Sequence, residues 1–169
     1  MERLILMRHG DAERPAPGLG DVERALTAEG RSESRAVGRA LADAGFEPDL
    51  ALVSPATRAA QTWEAAAEAF PKAKARLDGG LYAATSTRLA AAVREAAPDG
   101  RTLMLVGHNP GIHQLAIHLA RQAGASAKAV KPLYDRFPTG SAAVFAVDEA
   151  GEPSFQRLFL ARDYRDAVQ

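Results

Sequence analysis

The stretch RLILMRHG, Arg3–Gly10, sets the reading of the whole chain. A run of apolar residues stops abruptly at a guanidinium, an imidazole and a bare backbone. Four to eight continuous apolar residues bounded by loop signals read as a strand buried on both faces. Two later stretches repeat the pattern. LALVSPATR (Leu50–Arg58) stops at Ser-Pro and then carries an arginine, and TLMLVGHN (Thr102–Asn109) stops at Gly-His.

Helical signals separate these runs. Thr27 reads as an N-cap, with Glu29 in the first turn, for a helix running to about Ala44 and stopped by Gly45. Pro55 suits the start of a second helix, in which Ala59, Ala60, Trp63, Ala66, Ala67 and Phe70 share one face. A weaker strand is expected at KARL (Lys74–Leu77). A helix follows over STRLAAAVREAA (Ser86–Ala97), ended by Pro98 and Gly100. Another helix opens at Pro110, and SAAVFAV and SFQRLFLA flank a DEAGEP turn as a hairpin. Strand–helix alternation predicts an α/β fold: a single three-layer α/β/α domain over 1–169 with a mostly parallel central sheet.

Composition removes several alternatives. Hydrophobic residues make up 47% and charged residues 25%, an ordinary globular balance. Formal net charge is zero, which gives no broad electrostatic basis for binding nucleic acid or an acidic membrane. The chain has no cysteine, so disulfides, thiolate metal sites and cysteine nucleophiles are excluded. No apolar run is long enough to span a bilayer, and the N-terminal residues enter a strand without a signal-peptide pattern. A cytoplasmic protein is the expectation.

Parallel strands bring their carboxyl ends to one edge of a sheet, where open α/β folds bind ligands. Arg8, His9, Arg58 and His108 would meet there. Taken singly, each has a bland reading: a loop start, a solvated helix residue, a helix cap. Together they form a cationic pocket suited to a compact dianion. Arginine forks match phosphate oxygens, and a histidine can donate to a further oxygen or attack phosphorus. His108, His113 and His118 are spaced five apart, which spreads them around a helix instead of onto one metal-binding face. The glycines of PGLGDVERALTAEG match neither a dinucleotide fingerprint nor a P-loop, and TGSAA (Thr139–Ala143) falls short of a nucleophile elbow. The residues alone therefore give a phosphate-handling pocket.

The motifs MRHG, SPATRAAQT and VGHNP resemble the three signatures of the histidine phosphatase superfamily, the phosphoglycerate-mutase-like proteins. DVERALTAEG (Asp21–Gly30) resembles a stretch of its short bacterial phosphohistidine phosphatases. The likeness runs from Met1 to about Leu119, with an echo in FPTGSAAVFAVDEAG. It implies a phosphoglycerate-mutase-like fold and a hydrolase that works through a phosphohistidine intermediate on His9. Arg8, Arg58 and a protonated His108 would then hold the phosphoryl group, with no metal or cofactor. His9 must be neutral at its attacking nitrogen, so its other nitrogen is expected to donate to a backbone carbonyl. Gly10 is expected to leave the approach of phosphate uncrowded.

One departure bears on substrate. Many members carry a glutamate general acid in an Asp-x-x-Leu-x-Glu pattern; here the stretch is DGGLYA, with Ala83 in place of the glutamate. Asp11, Asp21 and Glu23 could substitute. Asp21 is the favoured acid, and its competing reading is a loop carboxylate paired with Arg24. The expected function is a phosphatase acting on phosphohistidine in a partner protein. The alternatives are a phosphatase of small phosphorylated metabolites and a non-catalytic phosphate-binding module.

Overall fold

The computed structural model describes residues 1–168. Strands β1 (Arg3–Arg8), β2 (Leu50–Val53), β3 (Lys74–Leu77), β4 (Thr102–Gly107), β5 (Ala142–Val147) and β6 (Pro153–Phe159) form one sheet in the order β3-β2-β4-β1-β5-β6. The first four strands of that order run parallel, and β5 and β6 continue antiparallel as the expected hairpin. The helices are α1 (Ala28–Asp43), α2 (Thr57–Ala67), α3 (Ser86–Ala96), α4 (Gly111–Gln122) and α5 (Ala127–Asp135). The single domain expected over 1–169 includes Gln169, which lies outside the described residues.

Side-chain alternation along the strands divides the core. Leu4, Leu6, Leu52, Leu103 and Leu105 pack with Leu89, Ile112 and Leu133 of α3, α4 and α5. Ile5, Met7, Val53, Met104 and Val106 pack with Val37, Leu41, Ala59 and Ala66 of α1 and α2. Helices thus cover both faces, which is why the strands read as unbroken apolar runs. A buried leucine or isoleucine contributes about 1.5–3 kcal/mol. Helix propensity is worth under about 1 kcal/mol per residue. Strand burial therefore fixes where the chain turns at the sheet's edge.

Local signals act as expected at several boundaries. Thr27 accepts a hydrogen bond from the Gly30 amide and caps α1. Gly45 adopts φ +76 and ends that helix's exit, a left-handed conformation that glycine enters freely. Two readings need correction. The buried stripe of α2 runs through Arg58, Ala59, Thr62, Ala65 and Ala66, so Ala60, Trp63 and Ala67 are only half-buried. The face is rotated because Arg58 and Thr62 turn toward the strand ends. Helix α5 was not anticipated. Ser126 caps it, and Val130 and Leu133 are its buried residues. Pro132 lies inside it, where proline normally breaks a helix.

Candidate active site

The carboxyl ends of β1, β2 and β4 build the site. Register puts Arg8 opposite Gly107 and Val53 opposite Val106, so His9, Ser54 and His108 each follow a strand end at the same level. Three backbone bonds pin this edge. The His9 amide donates to Gly107, the Ser54 amide to Val106 and the Gly140 amide to His9. His9, Arg58 and His108 are buried. The two histidine rings lie 5.1 Å apart between centroids.

His9 is oriented by its own loop. Its Nδ1 lies 2.7 Å from the Gly10 carbonyl, which can only accept, so Nδ1 carries the proton and Nε2 keeps its lone pair. Burial lowers its pKa to about 3, and His108, Arg58 and Arg8 add to the effect against the Gly10 bond. The neutral ring expected from the sequence is the state the pocket favours. Gly10 has a packing reason of its own. A Cβ there would lie 2.7 Å from both the Gly30 carbonyl oxygen and Ser34 Oγ, so the glycine lets the loop pack on α1. Its amide donates to Thr62 Oγ1 at 2.8 Å, and that hydroxyl donates to the Arg58 carbonyl at 2.6 Å. The loop bearing His9 is thereby tied to the helix bearing Arg58.

Arg8 Nη1 donates to the Phe137 carbonyl at 3.0 Å, which Asn109 Nδ2 also reaches at 3.0 Å. Arg58 is held by the long loop after β1: Nη1 donates to the Asp21 carbonyl at 2.7 Å and Nη2 to Asp21 Oδ2 at 2.9 Å. Asp21 also pairs with Arg24 at 2.9 Å, as the competing reading of that residue had it. Tyr82 Oη donates to Asp21 Oδ2 at 2.6 Å, and the Tyr82 ring meets His108 edge-on at 5.6 Å.

Two expectations change here. Donation from Tyr82, Arg24 and Arg58 holds the Asp21 carboxyl far below the usual carboxylate range. It is ionised at neutral pH and has no proton to deliver in this arrangement. His108 was expected to be protonated. Burial and the Arg58 guanidinium lower its pKa to about 4, so it is neutral at pH 7. Sequence reading passed over Ser54, Thr62 and Tyr82. Tyr82 sits one residue before Ala83, in the stretch read only for its missing glutamate. Ala83 itself is exposed, with φ +51.

Residues 4–82 match the model of the histidine phosphatase superfamily, branch 1, and these residues include β1 from Leu4 onward, β2, Arg58 and Tyr82. The chain belongs to the histidine phosphatase superfamily. An uncharacterised protein of Mycobacterium tuberculosis is 33% identical over 141 residues, spanning 83% of this chain and 87% of the relative. A 2,3-bisphosphoglycerate-dependent phosphoglycerate mutase of Thermobifida fusca is 41% identical over 70 residues, 40% of this chain and 28% of the mutase. The crystal structure of an Agrobacterium tumefaciens protein provisionally named phosphohistidine phosphatase SixA superposes with a TM-score of 0.81 at 28% identity, covering 94% of this chain and 97% of that one. The likeness to that structure is consistent with the short bacterial branch of the superfamily.

His113 and His118 make no contact with His9, Arg58 or His108 among the described interactions. His113 Nε2 meets the Leu133 carbonyl at 2.6 Å and its ring stacks on Phe137 at 5.8 Å, beneath the carbonyl that holds Arg8. His118 is exposed.

The two buried rings give a stability prediction. Both histidines have folded pKa values below the unfolded value of about 6.5. The unfolded chain therefore takes up protons first as pH falls. Stability is complete above about pH 6.5 and is lost on descent toward the folded values of about 3 and about 4. At pH 5 the expected loss is about 2 kcal/mol for each histidine relative to pH 7.5. Urea denaturation at the two pH values checks it, and the H108Q variant is expected to lose about 2 kcal/mol less than wild type over that interval.

Proposed function

We propose that this chain is a phosphatase that transfers a phosphoryl group to His9 Nε2 and then to water, with phosphohistidine in a partner protein as its substrate. The observation that carries the reading is the orientation of His9. Its Nδ1 proton is committed to Gly10, and its bare Nε2 sits in a cationic pocket. Arg8 Nε, Arg58 Nε and His108 Nδ1 are buried with no protein partner among the described residues. An unmade buried donor costs about 1–3 kcal/mol. Oxygens of a phosphoryl group would relieve that cost at the two guanidinium Nε–H groups, and at His108 Nδ1 when that nitrogen carries the proton.

In the first step the Nε2 lone pair attacks phosphorus in line, and the electron pair of the breaking bond goes to the leaving group. In the second, water attacks the phosphorus on His9 and Nε2 recovers its electron pair. Arg8 and Arg58 supply the charge stabilisation at the equatorial oxygens that phosphoryl transfer demands. Bound phosphate also reverses the field on His108. Two negative charges beside the ring favour its proton, so the neutral state of the free pocket does not prevent His108 from donating.

The choice of substrate rests on the leaving group. A general acid is typically worth about a hundred- to ten-thousandfold when a basic oxygen must be expelled. Asp21 is ionised, and Tyr82, whose pKa is raised by the Asp21 carboxylate, is a weak acid. Imidazole has a pKa near 6.5, so phosphohistidine can be protonated on its ring and leave as neutral imidazole unaided. The name of the Agrobacterium relative agrees with this chemistry. The expected result is efficient turnover of phosphohistidine and nitrophenyl phosphate, with kcat/KM for alkyl and sugar phosphates lower by at least about a hundredfold. The measurement is kcat/KM across leaving groups of graded basicity, with EDTA expected to have no effect. A flat dependence, or a sugar phosphate exceeding phosphohistidine, moves the assignment to small metabolites. Phosphate binding with no turnover of any donor leaves a binding module.

A further inference from the structure

Ser54 follows β2 and is fully buried, and its Oγ lies 2.7 Å from His108 Nε2. Its backbone amide is spent on Val106, so the strand edge fixes where the hydroxyl stands. The Ala56 amide donates to the same Oγ at 3.4 Å. A serine hydroxyl has one hydrogen to give and two lone pairs to receive. With the Ala56 amide on one lone pair, the hydrogen is free to point at Nε2. No other acceptor for it stands among the described hydrogen bonds. If Nε2 carried the ring proton instead, the buried hydroxyl hydrogen would lose that partner and Nδ1 would hold a bare lone pair; with Nδ1–H, the hydroxyl is satisfied and the donor left over is one that a phosphoryl oxygen can accept from. His108 Nδ1 is buried without a protein partner.

We propose that Ser54 holds His108 in the tautomer that carries its proton on Nδ1, and so acts as a positioning residue for a hydrogen-bond donor aimed at the phosphoryl oxygens. The inference rests on the phosphatase reading above. A chain of donors runs from the Ala56 amide through the Ser54 hydroxyl to Nε2, and it ends at Nδ1–H. In the other tautomer Nδ1 would present a lone pair to an anionic oxygen and repel it. The two pocket histidines then use one tautomer for opposite ends. His9 spends its Nδ1 proton on Gly10 and keeps Nε2 for attack. His108 accepts at Nε2 and keeps Nδ1–H for the phosphoryl group. A neutral His108 can therefore serve as a donor before any substrate charge protonates it.

The test is long-range proton–nitrogen NMR on protein labelled with nitrogen-15 at histidine, alone and with orthovanadate, with the His108 signals assigned from the H108Q variant. At pH 7.5 wild-type His108 is expected to show a protonated Nδ1 and a bare Nε2. A protonated Nε2 with a bare Nδ1 overturns the proposal, and this reading needs no variant to fold. In S54A the ring is expected to move toward the Nε2–H tautomer. Its kcat/KM for nitrophenyl phosphate should fall on the order of ten- to a hundredfold, the usual cost of losing a partner that orients a working ring. Part of that loss should return at acid pH, where a doubly protonated ring donates from both nitrogens, and S54T should keep the tautomer. An S54A protein with unchanged tautomer contradicts the proposal, whether or not its activity falls. If wild type turns over no phosphate ester or phosphohistidine, the phosphatase reading fails while the tautomer remains decided by the spectrum.

Discussion

Replacing His9 with alanine is expected to lower turnover of every phosphodonor by at least about ten-thousandfold, the scale seen when a covalent catalyst loses its nucleophile. Nothing in the pocket can stand in for Nε2. His108 lies across the site with its Nε2 taken by Ser54, so it presents no free lone pair at the attack position. The chain has no cysteine to act in its place. The fold should survive, because the strand edge is held by backbone bonds to Gly107 and Gly140 that alanine keeps. Vanadate should still bind, since Arg8 and Arg58 remain. Steady-state kinetics with vanadate titration checks the pair of outcomes. Near-wild-type turnover in H9A would remove the covalent mechanism.

The second large effect belongs to Arg58. R58A is expected to lose about a hundred- to a thousandfold in kcat/KM for nitrophenyl phosphate, the usual cost of removing one preorganised donor from a site of developing charge. R58K should recover little of it. The guanidinium is a planar fork whose two terminal nitrogens are held by Asp21 while Nε has no partner among the described residues. A lysine offers one rotating ammonium and cannot satisfy Asp21 and a phosphoryl oxygen in that geometry. D21N should cost much less than R58A in phosphohistidine turnover, because Asp21 positions the guanidinium and carries no proton for the leaving group. A loss in D21N equal to that in R58A would return Asp21 to the role of acid. Parallel kinetics of the three variants decides between these.

The parts of this site that were legible in the sequence are those encoded locally. A parallel strand buried on both faces is a continuous apolar run. Its end is visible wherever Arg8-His9, Ser54-Pro55 or Gly107-His108 interrupts it. The one-residue rotation of α2 was hidden because Arg58 and Thr62 are polar and buried, against the rule by which a helix face is read. Helix α5 was hidden by Pro132, although Ser126, Val130 and Leu133 carried a cap and a stripe. The web around Asp21 had no local signal at all: Arg58 lies 37 residues away and Tyr82 lies 61 residues away. The neutrality of His108 was likewise out of reach. It depends on desolvation and on Arg58, which are properties of the assembled edge rather than of Val106–Pro110.

Rapid acid-free quench of the enzyme with a phosphorus-32-labelled phosphodonor tests the covalent step itself. The account predicts one phosphoryl group per chain at most, stable in base and labile in acid, mapped by mass spectrometry to Nε2 of His9 and absent in H9A. Full turnover with no trapped phosphoenzyme, or a phosphoryl group on any other residue, would contradict it.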